Sequence, residues 1–110
     1  MYKEEKRCFR RVELNAPVRY EIRGRADFGN TLTDNISEGG VAINSPVFIA
    51  PATPLKMEIN ILNRVLHPLG KVCWCQPLPH SSSNRLGVEF LEFEPLERGF
   101  LKDFVNMKLV

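Results

Sequence analysis

From Pro17 onward the chain alternates. Val18-Arg19-Tyr20-Glu21-Ile22-Arg23 places apolar and charged residues in turn, the pattern of a strand with one face in a core and the other in water. Gly24-Arg25-Ala26-Asp27 supplies turn chemistry. A second strand follows over Phe28 to Ile36, weakly marked because Gly29, Asn30 and Asp34 are poor strand residues. Ser37-Glu38-Gly39-Gly40 breaks it, and Val41-Ala42-Ile43 resumes an extended segment. Pro46, Pro51 and Pro54 punctuate the next connection, after which Leu55 to Ile61 alternates without a fault, the strongest strand signal in the chain. Asn63-Arg64 offers a tight turn into Val65-Leu66, and Gly70 to Cys75 continues as strand. Leu78 to Asn84 is polar and proline-broken, an exposed loop, before Arg85 to Phe90 closes the series.

The period then changes. Leu96, Phe100, Leu101, Phe104, Val105 and Leu109 fall at helical spacing, and Pro95 suits a first helical turn. Six or so short strands followed by one amphipathic helix predict an all-β domain, a small antiparallel β-barrel with a C-terminal helix from about residue 95. Closure removes edge strands that invite aggregation, although an open sandwich satisfies the same pattern. Residues 1–13 are charged and weakly periodic and read as a flexible basic N-terminal arm; residues 14–110 form the barrel and helix.

Composition narrows the class. A chain of 110 residues supports one modest core, and 44 % apolar with 25 % charged residues is the balance of a folded globular domain. No apolar run is long enough to span a bilayer, and Met1 to Arg7 lacks the apolar core of a secretory signal, so a cytoplasmic location is expected. Three cysteines, Cys8, Cys73 and Cys75, fit a reducing compartment better than a disulfide framework. Net charge is only +2, yet 8 of the 15 basic residues fall within the first 25 positions. Cation density is local, which implies a local site.

Two polar clusters carry the candidate chemistry. Arg7 and Arg11, four apart in the arm, can converge on one ligand, with Lys6 and Arg10 beside them. The planar guanidinium pairs bidentately with phosphate, donates to guanine O6 and N7, or stacks on a base. Taken alone, such a run is most simply a solvated basic leader. Asn35 and Ser37, two apart, project from one face if the strand stays extended. Gly39 and Gly40 permit positive φ and uncover backbone N–H groups, so a ligand can approach closely. Taken alone, this segment is a plain turn.

In this order, the two clusters resemble the signatures of the PilZ family, bacterial receptor domains for cyclic di-GMP: RxxxR matches Arg7 to Arg11, and [D/N]xSxxG matches Asn35, Ser37 and Gly40. Gly70-x-Val72-x-Trp74 and Leu86-Gly87-Val88-Glu89-Phe90 extend the resemblance over nearly the whole chain. The resemblance implies a six-stranded antiparallel barrel whose arm folds over a cyclic dinucleotide. Arg7 and Arg11 would hold phosphates and guanine faces, Asn35 and Ser37 would read a guanine edge, and Gly40 would keep the turn open. Many family members carry Asp where this chain has Asn35, and an amide oxygen accepts guanine N–H donors more weakly than a carboxylate does. Lys6 occupies the position associated in the family with whether one or two ligand molecules bind.

Strict alternation puts Trp74 on the face of Val72, leaving it either inside the barrel or on a ligand-side wall, with Cys73 and Cys75 together on the opposite face. Two cysteines at this spacing do not make a zinc site, and His67 and His80 stand apart from them. Ser81, Ser82 and Ser83 beside His80 lack the rigid scaffold and oriented base that nucleophilic catalysis needs. The reading is therefore a receptor or adaptor and not an enzyme. It needs no cofactor, takes cyclic di-GMP as ligand, and signals to a protein effector as a monomer or ligand-sensitive dimer. The alternative is a PilZ-like interaction module without nucleotide binding. Nucleic-acid binding is disfavoured because the arm also carries Glu4, Glu5 and Glu13 and the chain lacks a recognition module.

Overall fold

The strongest alternation becomes the spine of the sheet. In the computed structural model, which describes residues 9–25 and 28–108, strand β5 (Pro54–Ile61) buries Leu55, Met57, Ile59 and Ile61 and exposes the residues between them. It pairs antiparallel with β2 (Pro17–Ile22), register Val18 to Ile59, Tyr20 to Met57 and Ile22 to Leu55, so apolar positions of both strands share one face. The other strands are β1 (Arg11–Glu13), β3 (Phe28–Ser37), β4 (Gly40–Ser45), β6 (Arg64–Leu66), β7 (Leu69–Pro77) and β8 (Asn84–Glu92).

Six strands close a ring in the order β3-β2-β5-β7-β8-β4, sealed by β3 pairing with β4. The closed barrel is thus the architecture, and the open sandwich is excluded. β1 and β6 are extra, lying along β3 and β5 where the neighbouring barrel strand ends. Leu62 and Asn63, at φ 52° and 65°, form the two-residue left-handed turn between β5 and β6, one position earlier than the sequence suggested. Helix α1 (Pro95–Lys108) starts with the Glu94 carboxylate accepting from the Glu97 N–H at 3.0 Å, and packs against β1 and β3 through Leu101, Phe104 and Val105. Leu96, read as part of that apolar face, is instead 76 % exposed, because it lies in the first turn beyond the contact.

The ring encloses one core that includes Ile36, Ile43, Leu55, Ile59, Leu66 and Leu86. Each such side chain contributes about 1.5–3 kcal/mol by burial. The last residues of the segment read as an arm, Arg11–Glu13, form β1 and add Val12 to this core. The kink between β1 and β2 is fixed by Thr33, fully buried on β3. Its hydroxyl accepts from the Ala16 N–H at 2.9 Å and donates to the Leu14 carbonyl. The β1 register, and with it Arg11, depends on this clasp.

Candidate functional site

Pairing of β1 with β3 sets Arg11 opposite Ser37, Val12 opposite Ile36, and Glu13 opposite Asn35. Val12 and Ile36 are buried, so Arg11, Asn35 and Ser37 belong to the outer face of the barrel wall. There the Arg11 guanidinium donates to Asn35 Oδ1 at 2.8 Å, a diagonal cross-strand bond that fixes the direction of the arginine fork. Ser37 has turned back on its own turn. Its Oγ accepts from the N–H groups of Gly39 (3.1 Å) and Gly40 (3.2 Å) and lies 3.4 Å from the Gly40 carbonyl. With 3 % exposure, it serves first to build the turn.

The glycines of this turn are needed for closeness rather than for handedness. Neither Gly39 nor Gly40 adopts positive φ, contrary to the conformational freedom expected of them. A Cβ on Gly40 would stand 2.4 Å from the Val88 carbonyl oxygen across the β4–β8 ladder, and backbone cannot yield there as a side chain can. The Phe9 ring lies against Gly39. On the far side, a Cβ on Gly87 would fall 2.3 Å from the Trp74 indole, so Trp74 packs directly against the bare β8 backbone.

Trp74 is 40 % exposed, on the wall and outside the core. The reason is a bulge in β7: Val72 pairs with Val88 but Trp74 pairs with Gly87, so Cys73 is the extra residue. Alternation flips there. Val72 points inward, Cys73 and Trp74 are both exposed, and Cys75 turns back to pack on the core. The two cysteines therefore do not share a face, contrary to the sequence expectation.

Arg11, Ser37, Gly39, Gly40 and Trp74 line one open cavity of about 370 Å³, together with Phe9, Cys73, Gly87, Val88 and Glu89. Asn35 is joined to it through Arg11, while Arg10 is exposed and does not line it. Lys6 and Arg7 lie outside the described residues. Sequence reasoning missed Phe9, Cys73 and Glu89 as lining groups. Phe9 between two arginines was an available signal, whereas Glu89 is brought in only by β4–β8 pairing, opposite Gly40.

Electrostatics separates the roles further. Desolvation, and then the Glu89 carboxylate, push the Cys73 thiol above its ordinary pKa, so it stays protonated and is a poor nucleophile at neutral pH. Glu38 of the signature turn faces Arg98 of α1 at 3.8 Å, linking the turn to the helix. At the other side of the helix, Glu97 accepts from the His67 backbone N–H at 2.7 Å and meets its Nδ1 at 2.9 Å. Partial burial pushes Glu97 up, but the hydrogen bonds from His67 and the charge of Arg64 leave its pKa lowered. Among the described residues no group of three or more His, Cys, Asp or Glu side chains is placed to hold a metal ion, and no helix is long and apolar enough to cross a membrane.

A closed six-stranded barrel with an arginine–amide–serine cluster on its outer wall defines a class of small β-barrel domains whose signature lies outside the barrel. The PilZ domain profile matches residues 5–106, and the chain belongs to the PilZ domain family. Its fold is similar to that of the inhibitor of motility (MotI/DgrA) of Bacillus subtilis, with a TM-score of 0.82 at 19 % identity over 99 % of this chain and 56 % of that one. It is also similar to the PilZ domain with c-di-GMP of YcgR from Escherichia coli, with a TM-score of 0.73 at 13 % identity over 94 % and 92 %. The K. pneumonia MrkH–c-di-GMP complex aligns with a TM-score of 0.76 at 14 % identity over 92 % of this chain and 51 % of MrkH. The chain thus spans about half the length of MotI/DgrA and MrkH and nearly all of the isolated YcgR domain. No curated protein matches the sequence closely enough to count as a relative.

Proposed function

We propose that this PilZ domain is a cytoplasmic receptor for cyclic di-GMP, binding it in the cavity between the β1–β3 wall and Trp74. One observation carries the reading: Arg11, Ser37, Gly40 and Trp74, from four different strands, line a single cavity. Membership of a family with fold neighbours solved in complex with c-di-GMP supports it.

Each group has a physical task. The Arg11 fork, steadied by Asn35, offers paired donors to a phosphate. The Trp74 indole offers a π-face for a guanine, a contact worth about 1–3 kcal/mol for a stacked base. The tight Ser37–Gly40 turn keeps side chains out of the ligand's path. Lys6, Arg7 and Arg10 of the arm close over the ligand, and ordering of that arm changes the surface shown to a protein effector. The Glu38–Arg98 pair connects the Ser37–Gly40 turn to α1.

Trp74 is the only tryptophan in the chain, so its fluorescence reports on the site directly. Titration with cyclic di-GMP is expected to give a saturable change, matched by calorimetry. In Arg11→Ala, affinity should fall by about 1–3 kcal/mol, the usual loss for charged hydrogen bonds. A folded protein with no saturable binding at high micromolar concentration would end the receptor reading. A second reading, a barrel that contacts only proteins, is favoured by Val47 and Phe48, which stand 51 % and 60 % exposed side by side between β4 and β5. Chromatography with and without nucleotide separates the two, because a pure interaction module keeps one elution position.

A further inference from the structure

The geometry points to Glu89 as the group that selects guanine over adenine at this cavity, an inference that rests on the proposed receptor reading. Among the described residues lining the cavity, Glu89 is the one acid. An acid beside a site for a phosphodiester repels the ligand unless it meets donors, so its position calls for a donor-rich partner. Glu89 lies two residues from Gly87 on β8, with buried Val88 between them, so both belong to the outer face. The Trp74 indole packs closely over Gly87, and Glu89 lines the same cavity, directly across from Gly40.

A base stacked on the indole presents its edges in a plane parallel to the ring, toward its lateral neighbours. Guanine N1–H and N2–H are two parallel donors that one carboxylate accepts together. Adenine presents at the same edge an N1 lone pair, which the carboxylate repels. Asn35 is a weaker candidate for this reading, because it is a neutral amide whose oxygen already accepts from Arg11. Glu89 is held only loosely by its own neighbours: Lys71 Nζ and Cys73 Sγ both lie 3.9 Å from Oε1. At 54 % side-chain exposure it can turn to a ligand without breaking a close bond.

The test compares wild type, Glu89→Gln and Lys71→Gln, each checked for folding by circular dichroism and titrated with cyclic di-GMP and cyclic di-AMP. Glu89→Gln is expected to lose about 10- to 100-fold in cyclic di-GMP affinity, as for loss of a charge-assisted pair. Its affinity for cyclic di-AMP should stay level or rise, so discrimination collapses, while Lys71→Gln keeps it. If wild type binds cyclic di-GMP and Glu89→Gln discriminates as well as wild type, or binds more tightly, Glu89 only repels phosphate and this inference fails alone. Equal losses in Glu89→Gln and Lys71→Gln also overturn it, because the carboxylate then acts by holding the lysine. A wild type that binds neither dinucleotide removes the receptor reading and the inference together.

Discussion

Replacing Thr33 by Val sets two physical effects against each other. Val has the same shape, prefers strands and removes a hydroxyl from a fully buried position, so burial alone predicts a gain of about 1 kcal/mol. Hydrogen bonding predicts the reverse. The Ala16 N–H, which donates to Thr33 Oγ1 at 2.9 Å in a buried setting, would be left without that acceptor, at a cost of about 1–3 kcal/mol. The Leu14 carbonyl would lose the Thr33 hydroxyl too, but lies nearer solvent and can be rehydrated, at a cost of about 0.5–1.5 kcal/mol. The balance is a net loss of about 0.5–3.5 kcal/mol, with hydrogen bonding the winner.

For a chain of this length about 1 kcal/mol moves the melting temperature by roughly 4 °C, so Thr33→Val should melt about 2–14 °C below wild type. Thermal unfolding followed by circular dichroism measures this. Thr33→Ser provides the control, since it keeps both bonds and loses one methyl, about 1 kcal/mol. A Val variant as stable as wild type, or more stable, would refute the account of Thr33 as the clasp of the β1–β2 kink. Because β1 carries Arg11, the Val variant should also bind ligand more weakly than its stability loss alone explains.

Gly40→Ala forces a Cβ to within 2.4 Å of the Val88 carbonyl oxygen and should destabilise by about 1–3 kcal/mol, the range for overpacking, measurable by urea denaturation. Cys73, its pKa raised by desolvation and by Glu89, should react with iodoacetamide at neutral pH more slowly than a free thiol, as read by mass spectrometry of the labelled peptide. The folded-state pKa of Glu97 is depressed, so its contribution to stability is present above the unfolded-state pKa and lost as pH falls through the folded one. Wild type should therefore lose more stability on acidification through the carboxylate range than Glu97→Gln does, and parallel stability–pH curves would contradict this.

Alternation made β2 and β5 legible, turn residues bounded the remaining barrel strands, and the change of period made the helix legible, because each element buries one face or stripe in a shared core. β1 was not legible: a strand of only Arg11, Val12 and Glu13 has too short a pattern, and β3 supplies its order from across the fold. The bulge at Cys73 was also hidden. Nothing in Val72-Cys73-Trp74-Cys75 shows that two neighbours will face outward, since partner register decides it. The Asn35, Ser37 and Gly40 signature was readable, but the reason for Gly40 was not, because the carbonyl it avoids belongs to Val88, far along the chain.

The cavity arises where regular pairing fails. The β1–β2 kink brings Arg11 to the wall, the shift between Thr33 and Asn35 on β3 marks the start of the signature, and the β7 bulge turns Trp74 outward. In a perfectly alternating barrel Trp74 would compete for core volume and the wall would offer no aromatic platform. Asn35 fits the same logic. As an amide it orients the Arg11 fork at 2.8 Å without contributing a negative charge of its own, whereas an aspartate there would oppose part of the attraction for a phosphate. In the proposed receptor, positioning of the cation and reading of the base edge would thereby be divided between two residues: Asn35 aims the arginine, and Glu89, across the cavity on β8, is left to meet the purine.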